Sequence, residues 1–323
     1  MTTAQIARPT ASSAIPLGVA CGMGAGALWG LVFLAPELAR EFTPLQLTVG
    51  RYLSYGVIAA VLVARRWRVL VAQIGRRHWR QLTWLALAGN TLYYLLLSTA
   101  VQTGGIAMTS LVIGFLPVAV TLVGSRDHGA VPLRKLTPSL LSCAAGAVCI
   151  GWRALGSPAH AAGAAPLVGL ACAVGALASW TAYAIGNARC LARLPAVSSH
   201  DWNLLTGLAT GVQSLALLPL AAILGGSSHG LDAWTRFGGV SVGVAVLASI
   251  AGNALWNRMS RLLPLTLVGQ MILFETLFAL LYGWLWEARW PTLLEGAALC
   301  FVVLGVVSCL MAHRGSREAG PVH

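Results

Sequence analysis

Long apolar runs alternate with short polar loops along almost the whole of this 323-residue chain. Ten runs stand out, with ends defined to within a few residues: 17–35, 44–64, 81–101, 107–124, 137–152, 166–188, 203–223, 241–260, 264–286 and 292–311. An α-helix rises about 1.5 Å per residue, so about 20 residues cross the roughly 30 Å hydrocarbon core of a bilayer. The pattern predicts an all-α integral membrane protein with ten transmembrane helices.

The composition supports the same class. Hydrophobic residues make up 57% of the chain and charged residues only 9%, whereas soluble domains have about 25% charged residues. A net charge of +12 would suit a nucleic-acid partner, but the basic residues lie in short loops between apolar runs, where they encode membrane topology. We therefore expect a lipid bilayer around the chain and no nucleic acid as a partner.

The loops on the two sides of the predicted membrane differ strongly in basic residues. The side that holds both termini carries sixteen Arg and Lys residues, six of them within residues 65–80. The other side carries four, which are Arg40, Arg153, Arg236 and Arg289. Because short loops rich in Arg and Lys stay in the cytoplasm, we expect a multi-pass protein of the cytoplasmic (inner) membrane whose tails, 1–16 and 312–323, are both cytoplasmic.

The chain also repeats itself. Residues 24–40 resemble residues 175–193, which aligns Trp29 with Trp180, and the tripeptide Ala-Gly-Asn recurs so that Asn90 aligns with Asn253. Two five-helix halves result, 17–152 and 166–311. Because five is odd, the second half would enter the membrane from the opposite side, as in inverted-repeat transporters. Chance alignment of Ala-, Gly- and Leu-rich sequence is the alternative.

Several of these segments resemble the EamA-type transporters of the drug/metabolite transporter superfamily. The resemblance rests on Trp29-Gly30, Gly50-Arg51-Tyr52, Trp180 with Tyr183, and the segment 274–305, in which Glu275, Glu287 and Gly305 match the family pattern. It covers nearly the whole chain, in both halves. It implies two EamA-like five-helix repeats and export of a small metabolite, amino acid or drug. One departure is Ser125-Arg126-Asp127, where the family commonly closes its fourth helix with Glu.

Glu275 and Arg51 are the ionisable residues that lie well inside predicted spans. Glu275 is the twelfth of 23 residues in its run, near the membrane midplane, where a carboxylate costs at least about 2.5 kcal/mol unless it meets water or protein. It either faces a central cavity as a counter-charge or proton carrier, or fixes helix packing. Arg51 either lines the same cavity or anchors structure near the outer interface.

Polar and aromatic residues complete the candidate set for substrate binding or coupling. Asn90 and Asn253 lie near mid-span and either contact a ligand or hydrogen-bond between helices, which is worth about 0.6 kcal/mol. The candidate aromatic lining consists of Trp29, Trp180, Tyr94, Tyr183, Trp256 and Tyr282, although aromatic residues near helix ends also form interface belts.

Two further features bear on helix packing. Gly22, Gly26 and Gly30 form a ridge of small residues that allows close helix approach. Pro117 predicts a kink or hinge in the fourth helix, because proline removes a backbone hydrogen bond.

These features together favour a secondary transporter that exports a small molecule by alternating access, with proton coupling as one option. A lipid or lipid-linked flippase is the alternative within transport, and a membrane-embedded enzyme or a structural membrane protein is the alternative of another class. No catalytic motif supports an enzyme, and the cysteine and histidine spacings indicate neither a metal site nor a cofactor. The expected partners are a small-molecule substrate, the lipid bilayer and, in a coupled mechanism, protons; the chain would act as a monomer or homodimer.

Overall fold

The computed structural model of the protein describes residues 11–124, 133–156, 165–191, 193–194, 196–226, 229–262 and 265–318. Over these residues the chain is helical and contains no strand, so the expectation of an all-α integral membrane fold is confirmed. The first half contains α1 (Ala11–Leu38), α2 (Pro44–Val63), α3 (Trp67–Gln73), α4 (Arg76–Ala86), α5 (Tyr93–Gly104), α6 (Ile106–Ile113), α7 (Leu116–Gly124) and α8 (Leu133–Gly156). The second half contains α9 (Ala165–Leu191), α10 (Ser199–Gly225), α11 (Leu231–Val244), α12 (Asn253–Leu262), α13 (Leu265–Trp286) and α14 (Leu293–Glu318).

Six helical segments of the described chain are long and apolar enough to cross a membrane. They are Pro16–Leu38, Pro44–Gln73, Arg76–Gly104, Ala165–Leu191, Ser199–Gly225 and Leu231–Ser260. Ile106–Val120, Met271–Trp286 and Leu293–Ser308 are shorter apolar helices. The count of ten spans therefore stays a prediction, as do the domain limits 17–152 and 166–311.

The fourth apolar run is interrupted, as Pro117 predicts. Helix α6 ends at Ile113, Gly114 and Phe115 form a turn, and α7 begins at Leu116. Pro117 is thus the second residue of a new helix, where a missing N–H is tolerated because the first turn has no intrahelical acceptor for it. The Ser125-Arg126-Asp127 segment that departs from the family pattern lies outside the described residues.

Two spans contain a stretch of π-helix in the middle. The first π segment, Leu87–Leu92, joins α4 to α5, and the second π segment, Ala245–Gly252, joins α11 to α12. The repeated Ala-Gly-Asn tripeptides fall on these segments: Gly89-Asn90 lies within the first, and Gly252-Asn253 lies at the end of the second. π-Helical turns are rare and are often found at functional sites. Their occurrence at matching positions supports the repeat alignment.

Ion pairs gather at one end of the helix bundle. Three involve arginines of the loops with few basic residues: Arg40–Glu37 (3.1 Å), Arg236–Glu41 (3.5 Å) and Arg289–Glu295 (2.7 Å). Arg289 also pairs with Glu287, and the hydrogen bonds that it donates to Glu295 raise the pKa of its guanidinium further above the ordinary value. The side chain of the fourth such arginine, Arg153, lies outside the described part of the chain. Carboxylates at this end therefore balance the charges of these three arginines.

The opposite end keeps more of its positive charge. Arg66 pairs with Asp201 at 2.9 Å and so joins the loop after α2 to the start of α10. Five further arginines of the same loop are exposed and have no ion-pair partner within 4.0 Å among the described residues: Arg65, Arg68, Arg76, Arg77 and Arg80. The difference in unpaired positive charge between the two ends is therefore larger than the counts of Arg and Lys residues in the sequence indicate.

Candidate functional site

Glu275 lies in the middle of α13 on the side that faces the other helices. The exposed face of this helix is a stripe of leucines, Leu277, Leu281 and Leu285, as expected for contact with lipid. Each residue advances a helix by about 100°, so Glu275 points about 200° away from Leu277. Its side chain is nevertheless only partly buried. Glu275 is therefore a partly buried residue on the side of α13 that faces the interior of the bundle.

The glycine ridge of α1 holds α13 at Glu275. A Cβ atom on Gly26 would lie 2.6 Å from Cβ of Phe274 and 2.9 Å from the backbone nitrogen of Glu275. A Cβ atom on Gly30 would lie 3.0 Å from the backbone nitrogen of Ala279. The two backbones can approach this closely only because the ridge has no side chains. Since α1 and α13 belong to different halves, Glu275 lies at the contact between the halves.

Arg51 is buried in α2 among tyrosines. Its side chain is 8% exposed, and its guanidinium carbon lies 4.3 Å from the ring centroid of Tyr94 and 5.0 Å from that of Tyr52. Both distances allow a cation–π interaction, which stabilises a desolvated cation. The Nε and Nη1 atoms of Arg51 are buried and have no hydrogen-bond partner among the described residues. Tyr94 thus belongs to this charged group rather than to an interface belt.

Glu275 and Arg51 are not in direct contact with each other. No nitrogen of Arg51 lies within 4.0 Å of a Glu275 oxygen, although the structure describes both residues. The two charged residues therefore do not form an ion pair with each other.

A tryptophan from α1 covers the second π segment. The Trp29 Nε1 atom donates a hydrogen bond to the carbonyl of Ala248 at 3.1 Å, and a Cβ atom on Gly252 would lie 2.7 Å from this nitrogen. The Trp29 and Trp256 rings lie 5.0 Å apart. Asn253 donates to Asn203 of α10 at 3.0 Å and to the carbonyl of Ser249 at 2.8 Å. Trp29, Trp256 and Asn253 thus form one polar-aromatic group.

The first π segment is covered in a similar way from α9. A Cβ atom on Gly89 would lie 2.3 Å from the ring of Tyr183, and Ser179 donates to the carbonyl of Ala88 at 2.7 Å. Trp180 contacts Tyr183 with ring centroids 5.8 Å apart. The aromatic ring that covers Gly89 is therefore that of Tyr183. The sequence instead aligns Trp180, one helical turn earlier, with Trp29.

Helix α10 connects the two π segments, which the sequence did not predict. Asn203 accepts a hydrogen bond from Asn253 near the second segment, and Thr210, two turns further along α10, accepts one from Asn90 in the first segment at 3.3 Å. Both candidate asparagines thus make interhelical hydrogen bonds, and their contact with a ligand stays a prediction. The repeated Ala-Gly-Asn tripeptide was the one signal in the sequence for this arrangement.

The remaining candidate is Tyr282, which lies two helical turns beyond Glu275 on the same face of α13. Its hydroxyl donates to the carbonyl of Ala27 in α1 at 3.2 Å, so it adds a polar contact to the glycine ridge. Within the described residues there is no cluster of three or more His, Cys, Asp or Glu side chains that could hold a metal ion.

An apolar groove lies away from these residues. It has a volume of about 610 Å³ and runs between α2, α4 and α10 at the arginine-rich end. Its lining consists of Ala60, Val63, Ala64, Trp67, Trp79, Thr83, Leu208, Ala209, Val212 and Gln213. None of them belongs to the candidate set, so this groove is not an opening toward Glu275.

Known proteins resemble this chain over nearly its whole length. It is 32% identical over 308 residues to inner membrane protein YtfF of Escherichia coli (strain K12), an alignment that covers 91% of this chain and 95% of the relative. A solved crystal structure aligns with 94% of this chain and 100% of its own, with a TM-score of 0.57 and 20% identity, which supports the fold alone. The sequence profile of the EamA-like transporter family matches twice, at residues 16–151 and 167–311. The chain therefore belongs to the EamA-like transporter family and is a membrane transporter built from two EamA domains.

Proposed function

We propose that the protein is a secondary transporter of the cytoplasmic membrane that exports a small molecule by alternating access. The observation that carries the proposal is Glu275, a carboxylate in the middle of an apolar helix, on its inward side and at the contact between the halves. Intramembrane carboxylates are costly and characteristically mark substrate or ion pathways. The E. coli relative is named as an inner membrane protein, which supports the same location here.

In this proposal the two halves rock against each other around a central site. Inverted-repeat transporters place the site at the interface of the repeats, near the midplane. Here Glu275 comes from the second half and Arg51 from the first, so a relative movement of the halves changes the distance between the two charges. The glycine ridge of α1 provides a smooth contact along which α13 can shift, because no side chains interlock between Gly26 or Gly30 and α13.

Glu275 is the proposed coupling group. Loss of its negative charge, either by protonation or by contact with a cationic substrate group, would leave Arg51 as the remaining charge of the pair. The two states of Glu275 therefore differ by one full charge in a region of low dielectric constant, where such a difference strongly affects which arrangement of the halves is stable. Coupling to a proton gradient would follow if protonation occurs on one side of the membrane and release on the other.

The test is export from cells and from membrane vesicles. Cells with and without the protein are screened for accumulation of amino acids and drugs, and the best substrate is then followed in proteoliposomes with and without an imposed pH gradient. The Glu275→Gln variant keeps size and hydrogen bonding but loses charge and titration. We expect it to lose net export at least tenfold while expression and helical content stay normal.

The matched control is Glu41→Gln, which removes an exposed carboxylate at the end of the bundle. It should export at the wild-type rate. Normal export by Glu275→Gln at every pH would remove Glu275 from the mechanism. A third outcome is loss of export in Glu275→Gln together with a wild-type export rate that does not depend on the pH gradient. This outcome would contradict proton coupling and would mean that Glu275 acts as a counter-charge.

A further inference from the structure

We propose that the apolar groove between α2, α4 and α10 binds an anionic phospholipid, with an acyl chain in the groove and the phosphate held by arginines at its mouth. The proposal does not depend on the transported substrate. It joins two observations that the proposed function leaves unexplained. One is the groove itself, of about 610 Å³, and the other is the set of exposed arginines at the same end without an ion-pair partner among the described residues.

The lining of the groove suits a hydrocarbon chain. It is apolar except for Thr83 and Gln213, and the polar groups of both are engaged by the protein. Thr83 donates to the carbonyl of Trp79 at 3.0 Å. Gln213 donates to the carbonyl of Thr83 at 2.8 Å and accepts from Thr91 at 2.6 Å. Because the surrounding lipid tails are equally apolar, the groove determines where a chain lies, and the headgroup must supply the selectivity.

The groove extends from the level of the lipid headgroups into the hydrocarbon layer. Asp201, at the start of α10, pairs with Arg66 at the arginine-rich end. The lining residues Leu208 and Gln213 lie seven and twelve residues further along α10, which is about 10 and 18 Å at about 1.5 Å per residue. The headgroup region of one leaflet is only about 5–7 Å thick. The α10 wall of the groove therefore lies at the depth of the acyl chains.

Two tryptophans mark the shallow end of the groove. Trp67 and Trp79 both belong to the lining, and their ring centroids lie 6.2 Å apart. Tryptophan is enriched at the headgroup level of membranes, because its ring is amphipathic. Arg66 and Arg68 flank Trp67 in the sequence, and Arg80 follows Trp79. The mouth of the groove is therefore surrounded by arginines at the level where lipid phosphates lie.

Helix α4 brings two of these arginines onto the face that lines the groove. Trp79 and Thr83, one turn apart, are both lining residues. Arg76 and Arg80 precede them by three residues each, and residues three or four apart share a face of a helix. Arg65 directly follows a lining residue just beyond the end of α2. The long side chain of arginine can extend from such positions to a phosphate.

The charge at the mouth selects a headgroup with net negative charge. Guanidinium groups bind phosphate oxygens in bidentate geometry. Asp201, a buried carboxylate at this end, is already paired with Arg66. A zwitterionic lipid would place its cationic group beside arginines that have no acid to balance it, whereas an anionic lipid balances them. Basic pockets between transmembrane helices bind anionic headgroups in this way.

A lipid in this groove contacts both halves of the protein. Helices α2 and α4 belong to the first EamA domain and α10 belongs to the second. A ligand that binds one arrangement of the domains stabilises that arrangement relative to others and relative to the unfolded chain. The bound phospholipid should therefore stabilise the packing of α10 against α2 and α4, and raise the melting temperature.

The test uses the purified full-length protein in a neutral detergent. The probes are dioleoyl phosphatidylglycerol, dioleoyl phosphatidylcholine, which has the same chains without net charge, and glycerol 3-phosphate, which has no chains. Native mass spectrometry measures bound lipid, and thermal unfolding measures stabilisation. One arginine near the headgroup contributes about fivefold in affinity, so we expect phosphatidylglycerol to bind at least about tenfold more tightly than phosphatidylcholine. Phosphatidylglycerol should also raise the melting temperature, and glycerol 3-phosphate should not.

Variants separate the mouth from the groove. Arg76→Gln and Arg80→Gln should each weaken phosphatidylglycerol binding several-fold and leave phosphatidylcholine binding unchanged. Ala60→Phe fills the groove but retains every arginine, so it should weaken the binding of both lipids. The matched control is Arg258→Gln, which removes an exposed arginine near the end of α12, where Met259 packs against α1. Both lipid affinities of this control should equal those of the wild type.

The wild-type series decides the question even if a variant fails to fold. Equal binding of the two phospholipids would overturn the proposal, and so would an equal thermal shift with glycerol 3-phosphate, which would indicate a site for soluble anions. Tighter binding of a short single-stranded oligonucleotide than of phosphatidylglycerol would assign the arginines to a soluble polyanion instead. Among folded variants, full selectivity in the Arg76→Gln/Arg80→Gln double variant, or unchanged lipid binding in Ala60→Phe, would place the lipid elsewhere and reject this site.

Discussion

Gly56 of α2 and Gly211 of α10 touch each other reciprocally. A Cβ atom on Gly56 would lie 2.7 Å from Cα of Gly211, and a Cβ atom on Gly211 would lie 2.8 Å from Cα of Gly56. Each residue thus meets its counterpart in the same way, as residues next to a two-fold axis do. Helices α2 and α10 follow α1 and α9 in the two halves, so a two-fold axis that relates the predicted inverted repeats would pass beside this contact.

Substitution at either glycine should therefore have the same effect. Alanine favours a helix over glycine by up to about 1 kcal/mol, so propensity alone predicts stabilisation. Steric overlap at Cα–Cβ distances below 3 Å predicts instead a loss of about 1–3 kcal/mol for Gly56→Ala and an equal loss for Gly211→Ala. Thermal unfolding of the purified variants measures both. Gly243→Ala is the control, because nothing lies within 4 Å of its Cβ position, and a destabilised control would undermine the steric explanation.

The sequence predicted the apolar segments well because each one carries its own signal. The run 264–286 matches α13, Leu265–Trp286, almost to the residue, and Glu275 was identified because a carboxylate stands out in an apolar run. The π segments could not be predicted in this way. At both π segments a side chain from another helix donates a hydrogen bond to the backbone, Trp29 to the carbonyl of Ala248 and Ser179 to that of Ala88.

The pairing of Trp29 with Trp180 shows the limit of sequence alignment in such a chain. Sequence similarity aligns two tryptophans, but the ring that covers Gly89 is that of Tyr183. A shift of one turn preserves the helical face and the small-residue pattern, so the sequence cannot distinguish the two choices. Likewise, the lack of an ion pair between Arg51 and Glu275 depends on the relative position of two helices far apart in the chain, which no local pattern encodes.

The ion pair between Arg289 and Glu295 should contribute more to stability than the other pairs at that end. Glu295 is 3% exposed and accepts two hydrogen bonds of 2.7 Å from Arg289, and it also accepts one from the backbone of Thr292. Arg289→Gln leaves a buried carboxylate without its countercharge and should cost about 3 kcal/mol. The exposed pair of Arg236 with Glu41 is expected to contribute at most about 1 kcal/mol.

Thermal unfolding of Arg289→Gln and Arg236→Gln in the same detergent compares the two pairs directly. The melting temperature should fall clearly in the first variant and remain near that of the wild type in the second. Equal melting temperatures would mean that Glu295 is stabilised by the helix start and not by Arg289.

The orientation in the membrane is predicted from the arginine distribution. Green fluorescent protein fused after Arg68, after Ala196 or at the C-terminus should fluoresce, because it reports a cytoplasmic position. Alkaline phosphatase fused at Gly156 or Gly230 should be active, because it reports a position on the outer side. An outer-side C-terminus would contradict both the orientation and the ten-span count.

The contact of Gly26 with Glu275 connects packing to transport. A side chain at Gly26 would push against Phe274 and against the backbone nitrogen of Glu275, so α13 must move outward or the carboxylate must turn. Gly26→Ala should therefore reduce export at least tenfold and destabilise the protein by about 1–3 kcal/mol, even though alanine is the better helix former. Export is measured in vesicles, and stability by thermal unfolding.

Gly24→Ala on the same helix provides the matched control for Gly26→Ala. A Cβ atom on Gly24 would meet only the Cδ1 end of Leu255 at 3.1 Å, and a flexible side chain can give way by a few tenths of an ångström. We therefore expect Gly24→Ala to be neutral or slightly stabilising, with normal export.

If Gly26→Ala unfolds at the wild-type temperature and exports normally, the close approach of α1 to α13 is not what holds Glu275 in place. If Gly26→Ala is destabilised but exports normally, the ridge has a structural role and Glu275 tolerates displacement. Loss of export at unchanged stability would indicate that the variant blocks the movement of α13 along α1, because the ground-state packing would then be intact.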